Sequence, residues 1–233
     1  MTKLIFLGTK GEIEESSCQH QYHSSLLMVA EGTRLLIDYG AFRQHNLEEI
    51  KPHAILITHA HPDHYVWLKE DVKTEVLVHL TRETYEYGSF VPPNSNIISP
   101  GEKFEVGHFQ CIAYRVVHSK RCPAVGYRIR AEQKTFVYNP DLVDIVDKES
   151  VLQGVDYYIG DGSAIKANLA RRQGDQLFGH TRITTQMNWC KKYGINNIIF
   201  THLGKETMAN EDKFTQEHTE ATLTYDDMEL VIE

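Results

Sequence analysis

Ile55-Leu56-Ile57-Thr58-His59-Ala60-His61-Pro62-Asp63-His64 puts four side chains of metal-binding type within six residues, directly behind an aliphatic run. Ala54–Thr58 is continuously β-branched and aliphatic, which predicts a strand buried on both faces. His59 and His61 are two apart, so in extended backbone they lie on one side. Pro62 then forces a turn that brings Asp63 and His64 round to a second position nearby. Imidazole and carboxylate together suit zinc, iron or manganese. Two ions about 3.5–4 Å apart form the usual two-metal clamp. A merely solvated histidine-rich loop is set aside, because a buried strand delivers the cluster and similar residues recur downstream.

The pattern returns once. Ile198-Ile199-Phe200-Thr201-His202 echoes Ile55-Leu56-Ile57-Thr58-His59, predicting two buried strands that each carry a Thr-His pair to a shared site. Upstream, Thr2–Leu7 predicts a strand, Thr9–Tyr22 a loop, and Ser24–Ala30 with Arg34–Asp38 a hairpin. A short helix is expected to begin near Asp63. Further strands are expected at Glu75–Leu80, Phe109–Val117, Ala124–Arg130, Thr135–Tyr138, Val155–Ile159 and Ile195–Thr201. Helices are expected at Thr81–Gly88, Leu142–Gln153 and Thr181–Tyr193, the last ended by Gly194. Thr222–Ile232 predicts a final strand or hairpin. Nothing resembles a linker or low-complexity segment, so residues 1–233 are read as one domain of the α+β class, with sheets covered by helices.

Composition narrows the function. The 233 residues carry 24 Lys+Arg against 32 Asp+Glu, a formal charge of −8. That argues against duplex DNA, whose binding needs an excess of phosphate-neutralising cations. The 13 histidines are many for this length and point to metal or proton chemistry. Cys18, Cys111, Cys122 and Cys190 are scattered without a CxxC pair, which predicts reduced thiols and a cytoplasmic protein. Met1–Gly8 lacks the length and cleavage site of a signal peptide. The apolar runs are too short to span a bilayer, so no membrane association is expected.

HxHxDH behind a buried strand resembles the metallo-β-lactamase superfamily. The resemblance covers essentially the whole chain, from Leu7-Gly8-Thr9 through Leu35-Leu36-Ile37-Asp38-Tyr39-Gly40 to later motifs in order. It implies a four-layer αββα sandwich with a dimetal site at the edge of two sheets. The family's isolated His corresponds to His118, and its final His to His202 in Phe200-Thr201-His202-Leu203-Gly204. Its bridging Asp corresponds to Asp141 in Tyr138-Asn139-Pro140-Asp141. Asn-Pro departs from the common Ser-Gly there, which leaves Asp144 as an alternative. The resemblance implies that His59, His61 and His118 hold one metal, that Asp63, His64 and His202 hold the other, and that Asp141 bridges them. Asp38 is read as a carboxylate orienting a ligand histidine. Zinc is the expected ion, with manganese or iron as alternatives.

Two such ions make hydroxide at neutral pH, so a metal-bridging hydroxide and a hydrolase are implied. His64 disfavours class B lactamases, the length leaves no room for a flavodoxin domain, and only 31 residues follow His202, unlike glyoxalase II-type thioesterases. The ribonuclease Z and cyclic-phosphate phosphodiesterase branch is the most similar, through Leu7-Gly8-Thr9, His23-Ser24-Ser25-Leu26-Leu27 and Gly179-His180-Thr181. Asp63 and His180 are the catalytic candidates, His180 as proton donor to the leaving oxygen. Arg121, Lys166, Arg171, Arg172 and Lys205 are candidate anion contacts, equally readable as surface charges. His20 and His23 lie in the early loop; the resemblance implies that the chain passes near the site at His23, to which no role is assigned, while His45, His53, His79, His108 and His218 are read as solvated or structural.

No glycine/proline-rich tRNA-gripping arm is visible. The expected substrate is therefore a small phosphodiester, such as a cyclic nucleotide or cyclic sugar phosphate, or a single-stranded RNA end. The alternatives are a carboxylic ester, thioester or lactone hydrolase, and a non-catalytic metal-bound nucleotide-binding module. The branch resemblance is compatible with a homodimer.

Overall fold

Ala54, Ile55 and Leu56 are all buried because their strand is covered on both sides. Ala54 and Leu56 face a core between two sheets, and Ile55 faces a separate core beneath an outer layer. The computed structural model describes residues 1–233. Its strands are β1 (Thr2–Gly8), β2 (Ser25–Ala30), β3 (Thr33–Ile37), β4 (Ala54–Leu56), β5 (Leu77–Thr81), β6 (Ser95–Ile98), β7 (Lys103–Val106), β8 (Phe109–Val117), β9 (Ala124–Ala131), β10 (Lys134–Tyr138), β11 (Asp144–Ile145), β12 (Tyr157–Asp161), β13 (Arg171–Gln173), β14 (Gln176–Phe178), β15 (Asn197–Thr201), β16 (Ala221–Leu223) and β17 (Met228–Ile232). The helices are α1 (Leu47–Ile50), α2 (Arg82–Tyr87), α3 (Lys148–Leu152), α4 (Ile183–Tyr193), α5 (Lys205–Ala209) and α6 (Glu211–Glu217).

The first sheet runs β17-β1-β2-β3-β4-β5-β6, with β3 to β6 mutually parallel. The second runs β11-β8-β9-β10-β12-β15-β16, and β7 also pairs with the first half of β8. Leu4, Phe6, Leu26 and Leu56 of one sheet meet Phe109, Tyr127, Ile129 and Phe136 of the other in the central core. A second core packs Val151, Ile183, Cys190 and Phe214, from α3, α4 and α6, onto the outer face of the second sheet. A third packs Ile50, Tyr65 and Trp67 onto the outer face of the first. The layers are thus αββα. Each buried aliphatic or aromatic side chain contributes roughly 1.5–3 kcal/mol by leaving water.

Four expectations change. Leu142–Gln153 is not one helix. The backbone of Asp144 and Ile145 pairs instead with Val117 and Val116, which extends the sheet at the end of β8, and the helix starts only after Asp147 caps Ser150. Thr222–Ile232 is neither one strand nor a hairpin, because β16 joins the second sheet beside β15 and β17 joins the first beside β1. The turn after Asp63 is a single 3-10 turn at Val66–Leu68, and α4 begins at Ile183. β6, β7, the β13–β14 hairpin, α1, α5 and α6 were not anticipated; most are short and half-exposed, so they carry little hydrophobic period. No helix is long and apolar enough to cross a membrane.

Candidate active site

β3, β4, β8, β10, β12 and β15 all point their carboxyl ends at one edge of the sandwich. At or just beyond those ends lie Asp38, His59, His118, Asp141, Asp161 and His202. Two contacts between the sheets fix the edge: the Tyr127 hydroxyl donates to the Ile57 carbonyl at 2.7 Å, and the Val125 amide donates to the Thr58 carbonyl at 3.0 Å. The loop carrying Asp63 packs so closely on Gly40 that a Cβ there would sit 2.1 Å from the Asp63 carbonyl oxygen. Asp38 and His202 both adopt left-handed backbone (φ 62° and 57°), a strained geometry that the surrounding packing imposes at the site.

Three overlapping clusters result; two carry the expected ligand sets, and the third joins Asp141 and His202 to Asp161 and His180. His59, His61, His118 and Asp141 form one, and Asp63, His64, Asp141 and His202 the other; within each, one ligand atom per residue lies within 4.8 Å of the rest. Asp141 is common to all three. Its Oδ2 lies 2.9 Å from His64 Nε2 and 3.3 Å from His59 Nε2, and its Oδ1 lies 3.3 Å from His202 Nδ1. Asp63 Oδ2 lies 3.0 Å from His202 Nε2 and 3.2 Å from His64 Nε2. Asp144 belongs to no cluster and pairs with Lys148, so Asp141 is the carboxylate placed at the centre.

Three of the five histidines in the two ligand sets have their second nitrogen engaged outside the clusters. His64 Nδ1 donates to Asp38 at 2.9 Å and His118 Nδ1 to the Gly179 carbonyl at 3.1 Å. Thr58 donates its hydroxyl to Asp38 and accepts from His59 Nδ1, both at 3.0 Å. That leaves Nε2 of His59, His64 and His118 turned inward, each held in one tautomer by its outer partner. His59 Nε2, His64 Nε2, Asp63 Oδ1 and Asp141 Oδ1 are buried without any hydrogen-bond partner. Buried polar atoms are almost always paired, so this convergence of orphaned imidazole and carboxylate atoms fits divalent cations.

The electrostatics agree. Burial pushes the imidazoles of His59, His61 and His118 below the usual range, His61 to about 4, which keeps them neutral as metal ligation requires. Burial alone would raise the Asp63 and Asp141 carboxyls, but the facing imidazoles outweigh it and hold both well below the usual carboxylate range.

His180 belongs to the third cluster. His180 Nδ1 lies 2.8 Å from Asp161 Oδ2 and 3.1 Å from both Asp141 Oδ1 and Ser163 Oγ. Burial opposes a charge on His180, but the Asp161 and Asp141 carboxylates prevail and raise its pKa well above the usual histidine range. Asp161 is fully buried and also accepts from the Leu142 and Ser163 amides. The strand expected at Val155–Ile159 stops short of Asp161, to which the sequence assigns no role. The missed signal was a carboxylate closing a buried strand that runs parallel to those leading to Asp141 and His202.

A cavity of about 550 Å3 opens over the clusters, lined among others by His61, Asp63, His118, Asp141, His180 and His202. Of the five candidate anion contacts only Lys205 lines it, and Glu15 engages that ammonium. Arg171 and Arg172 lie exposed on the β13–β14 hairpin, and Arg121 and Lys166 are exposed as well. His23 joins no cluster and accepts from the Phe42 amide. His79 is buried; His45, His53, His108 and His218 make peripheral contacts to Asp227, Arg34, Glu31 and Glu220.

Two facing mixed sheets between helical layers, with clustered His and Asp at their common edge, define a protein of metallo-β-lactamase architecture. The chain belongs to the beta-lactamase superfamily domain family, whose model matches residues 33–203. Among solved structures, it is similar to a diphosphatase from the PhnP family, at 18% identity over 100% of this chain and 98% of that one, with a TM-score of 0.73. Zn(2+)-bound PqqB from Methylobacterium extorquens is similar at 16% identity over 99% and 100%, with a TM-score of 0.74. Human tRNase Z, short form, is similar at 17% identity over 99% of each chain, with a TM-score of 0.69. At these identities the likeness is one of fold. No curated protein matches the chain by sequence.

Proposed function

We propose that this superfamily hydrolase is a phosphodiesterase with two divalent ions, zinc foremost, acting on a small phosphodiester such as a cyclic nucleotide or cyclic sugar phosphate. His59, His61, His118 and Asp141 would hold one ion, and Asp63, His64, His202 and Asp141 the other. The observation that carries the reading is the Asp161–His180 pair, 2.8 Å apart and set against Asp141 at the cavity wall. Two bound ions would supply Lewis acidity and a hydroxide nucleophile at neutral pH.

The chain's own residues do the rest. Asp161 accepts from His180 Nδ1, which fixes the imidazole and leaves Nε2 for the cavity that His180 lines. His180 Nε2–H then protonates the departing alkoxide, the step a phosphodiester with a poor leaving group needs. Asp38 and Thr58 hold His64 and His59 in register. A diphosphatase of the PhnP family and a zinc-bound protein, both of the same fold, support phosphoester chemistry and the choice of ion.

The test is elemental analysis of metal per chain, with assays on bis-p-nitrophenyl phosphate and 2′,3′- and 3′,5′-cyclic nucleotides in added zinc or manganese. Two metals with turnover support the proposal. Two metals with turnover only on p-nitrophenyl acetate or a thioester would move the assignment to ester hydrolysis. No metal under replete conditions would overturn the ligand sets.

A further inference from the structure

The mouth of the cavity is acidic on the side formed by the early loop. Beyond the metal-clustered residues its wall includes Glu12, Ile13, Ala167, Leu169, Lys205 and Glu206. Two of these charges are engaged. Glu15 pairs with Lys205, and Glu206 accepts from the backbone amides of Lys166 and Ala167 at 3.2 and 2.9 Å. Glu12 makes neither a salt bridge nor a hydrogen bond. Partial burial and then the Asp63 carboxylate raise its pKa, outweighing the opposing pull of Lys69.

The backbone leading to Glu12 is held in place. Lys10 bridges His23 on one side and Leu203 on the other. The Leu203 amide donates to the Thr9 carbonyl at 2.7 Å, and the Gly11 amide to the Leu203 carbonyl at 3.1 Å. Gly11 lies against the His202 imidazole, where a Cβ would come within 2.9 Å of Cε1. The residue after Gly11 therefore stands at a set place beside the reacting centre. Glu12 is exposed, and a carboxylate on an anchored backbone with no ion-pair partner repels a second anion and accepts from an N–H or O–H donor.

We propose that Glu12 is a specificity-determining residue: it accepts from ammonium or hydroxyl donors on the alcohol portion of the phosphodiester and rejects substrates that carry a second phosphate there. Ile13, Ala167 and Leu169 supply apolar contact around that donor group. The exposed cations Arg171 and Arg172 lie off the cavity wall and do not offset the charge. The assignment rests on the phosphodiesterase reading.

The experiment compares thymidine 5′-(p-nitrophenyl phosphate) with its 3′-phosphorylated analogue on zinc-loaded protein. The expected wild-type kcat/KM favours the plain ester by about tenfold or more, with Glu12→Lys abolishing or reversing the ratio and Glu12→Gln falling between. Equal use of both esters by the wild type, or a ratio unchanged in Glu12→Lys, would overturn the proposal. Calorimetry gives a readout without turnover: phosphocholine against thymidine 3′,5′-bisphosphate binding to the same metal-loaded proteins. Preference for phosphocholine that reverses in Glu12→Lys supports the assignment, and indifference to the substitution sinks it. Absence of turnover on every diester, with that binding preference intact, would fail the phosphodiesterase reading alone.

Discussion

Replacing His180 by alanine is expected to lower turnover by about 10²–10⁴-fold while both metals stay bound, the signature of a lost proton donor. Asp161→Asn should lower kcat more than it changes KM, since Asp161 holds the His180 ring through Nδ1 and raises its pKa. Metal content per chain, measured alongside kinetics, separates these outcomes from loss of a ligand. Asp38→Asn is the contrasting case. Asp38 is fully buried, accepts from His64 Nδ1 at 2.9 Å and from Thr58, and touches no substrate. Its loss should weaken metal binding by about 10–100-fold, read by competition with a chromogenic chelator. Unchanged affinity would show that His64 keeps its orientation without it. The ligand-type residues were legible in the sequence because HxHxDH is local and each remaining one closes a recognisable strand. Asp161 was not, because a lone carboxylate in Gly160-Asp161-Gly162 acquires meaning only when 19 further residues bring His180 beside it.

β5 shows how an element carries a pH response. His79 lies on β5 in the first sheet, yet its ring stacks on Phe104 of β7 in the second, with centroids 4.7 Å apart. Its Nδ1 accepts from the Asn96 side-chain amide on β6 at 3.0 Å. Burial lowers the His79 pKa from 6.5 to about 4. The unfolded chain takes up this proton near pH 6.5 and the folded chain only near 4. Unfolding therefore binds a proton in that window, and this contribution to stability is complete above pH 6.5 and shrinks as the pH falls toward 4. His79→Gln should flatten that part of the Tm profile between pH 7 and 4, as followed by circular dichroism. A profile that keeps its full slope would assign the acid sensitivity elsewhere. The misread Leu142–Gln153 segment belongs to the same level. Its apolar residues suit a helix, but the free edge at the end of β8 offers Asp144 and Ile145 backbone partners, and pairing there tethers the segment after Asp141 to the strand before His118.

Across the molecule, four buried carboxylates, Asp38, Asp63, Asp141 and Asp161, sit at one seam between the sheets. Such a concentration of negative charge is destabilising unless cations face it. Stripping metal with a chelator should lower Tm by several degrees, and zinc should restore it in a concentration-dependent way, as expected for a ligand that binds only the folded state. A Tm indifferent to both would mean that the imidazoles balance the carboxylates unaided.

The linear sequence already carried the class of fold. Strand period, continuous apolar runs and turn residues are local properties, and the order of the His and Asp motifs maps onto the ends of successive strands. It carried the candidate ligand set for the same reason. The tertiary structure alone placed Asp161 on His180, chose Asp141 over Asp144, moved the arginines of the β13–β14 hairpin off the cavity wall and stood Glu12 at its mouth. These depend on which strand ends share an edge and on how a loop packs against an imidazole. Such contacts join residues far apart in the chain, and no local pattern of side chains encodes them.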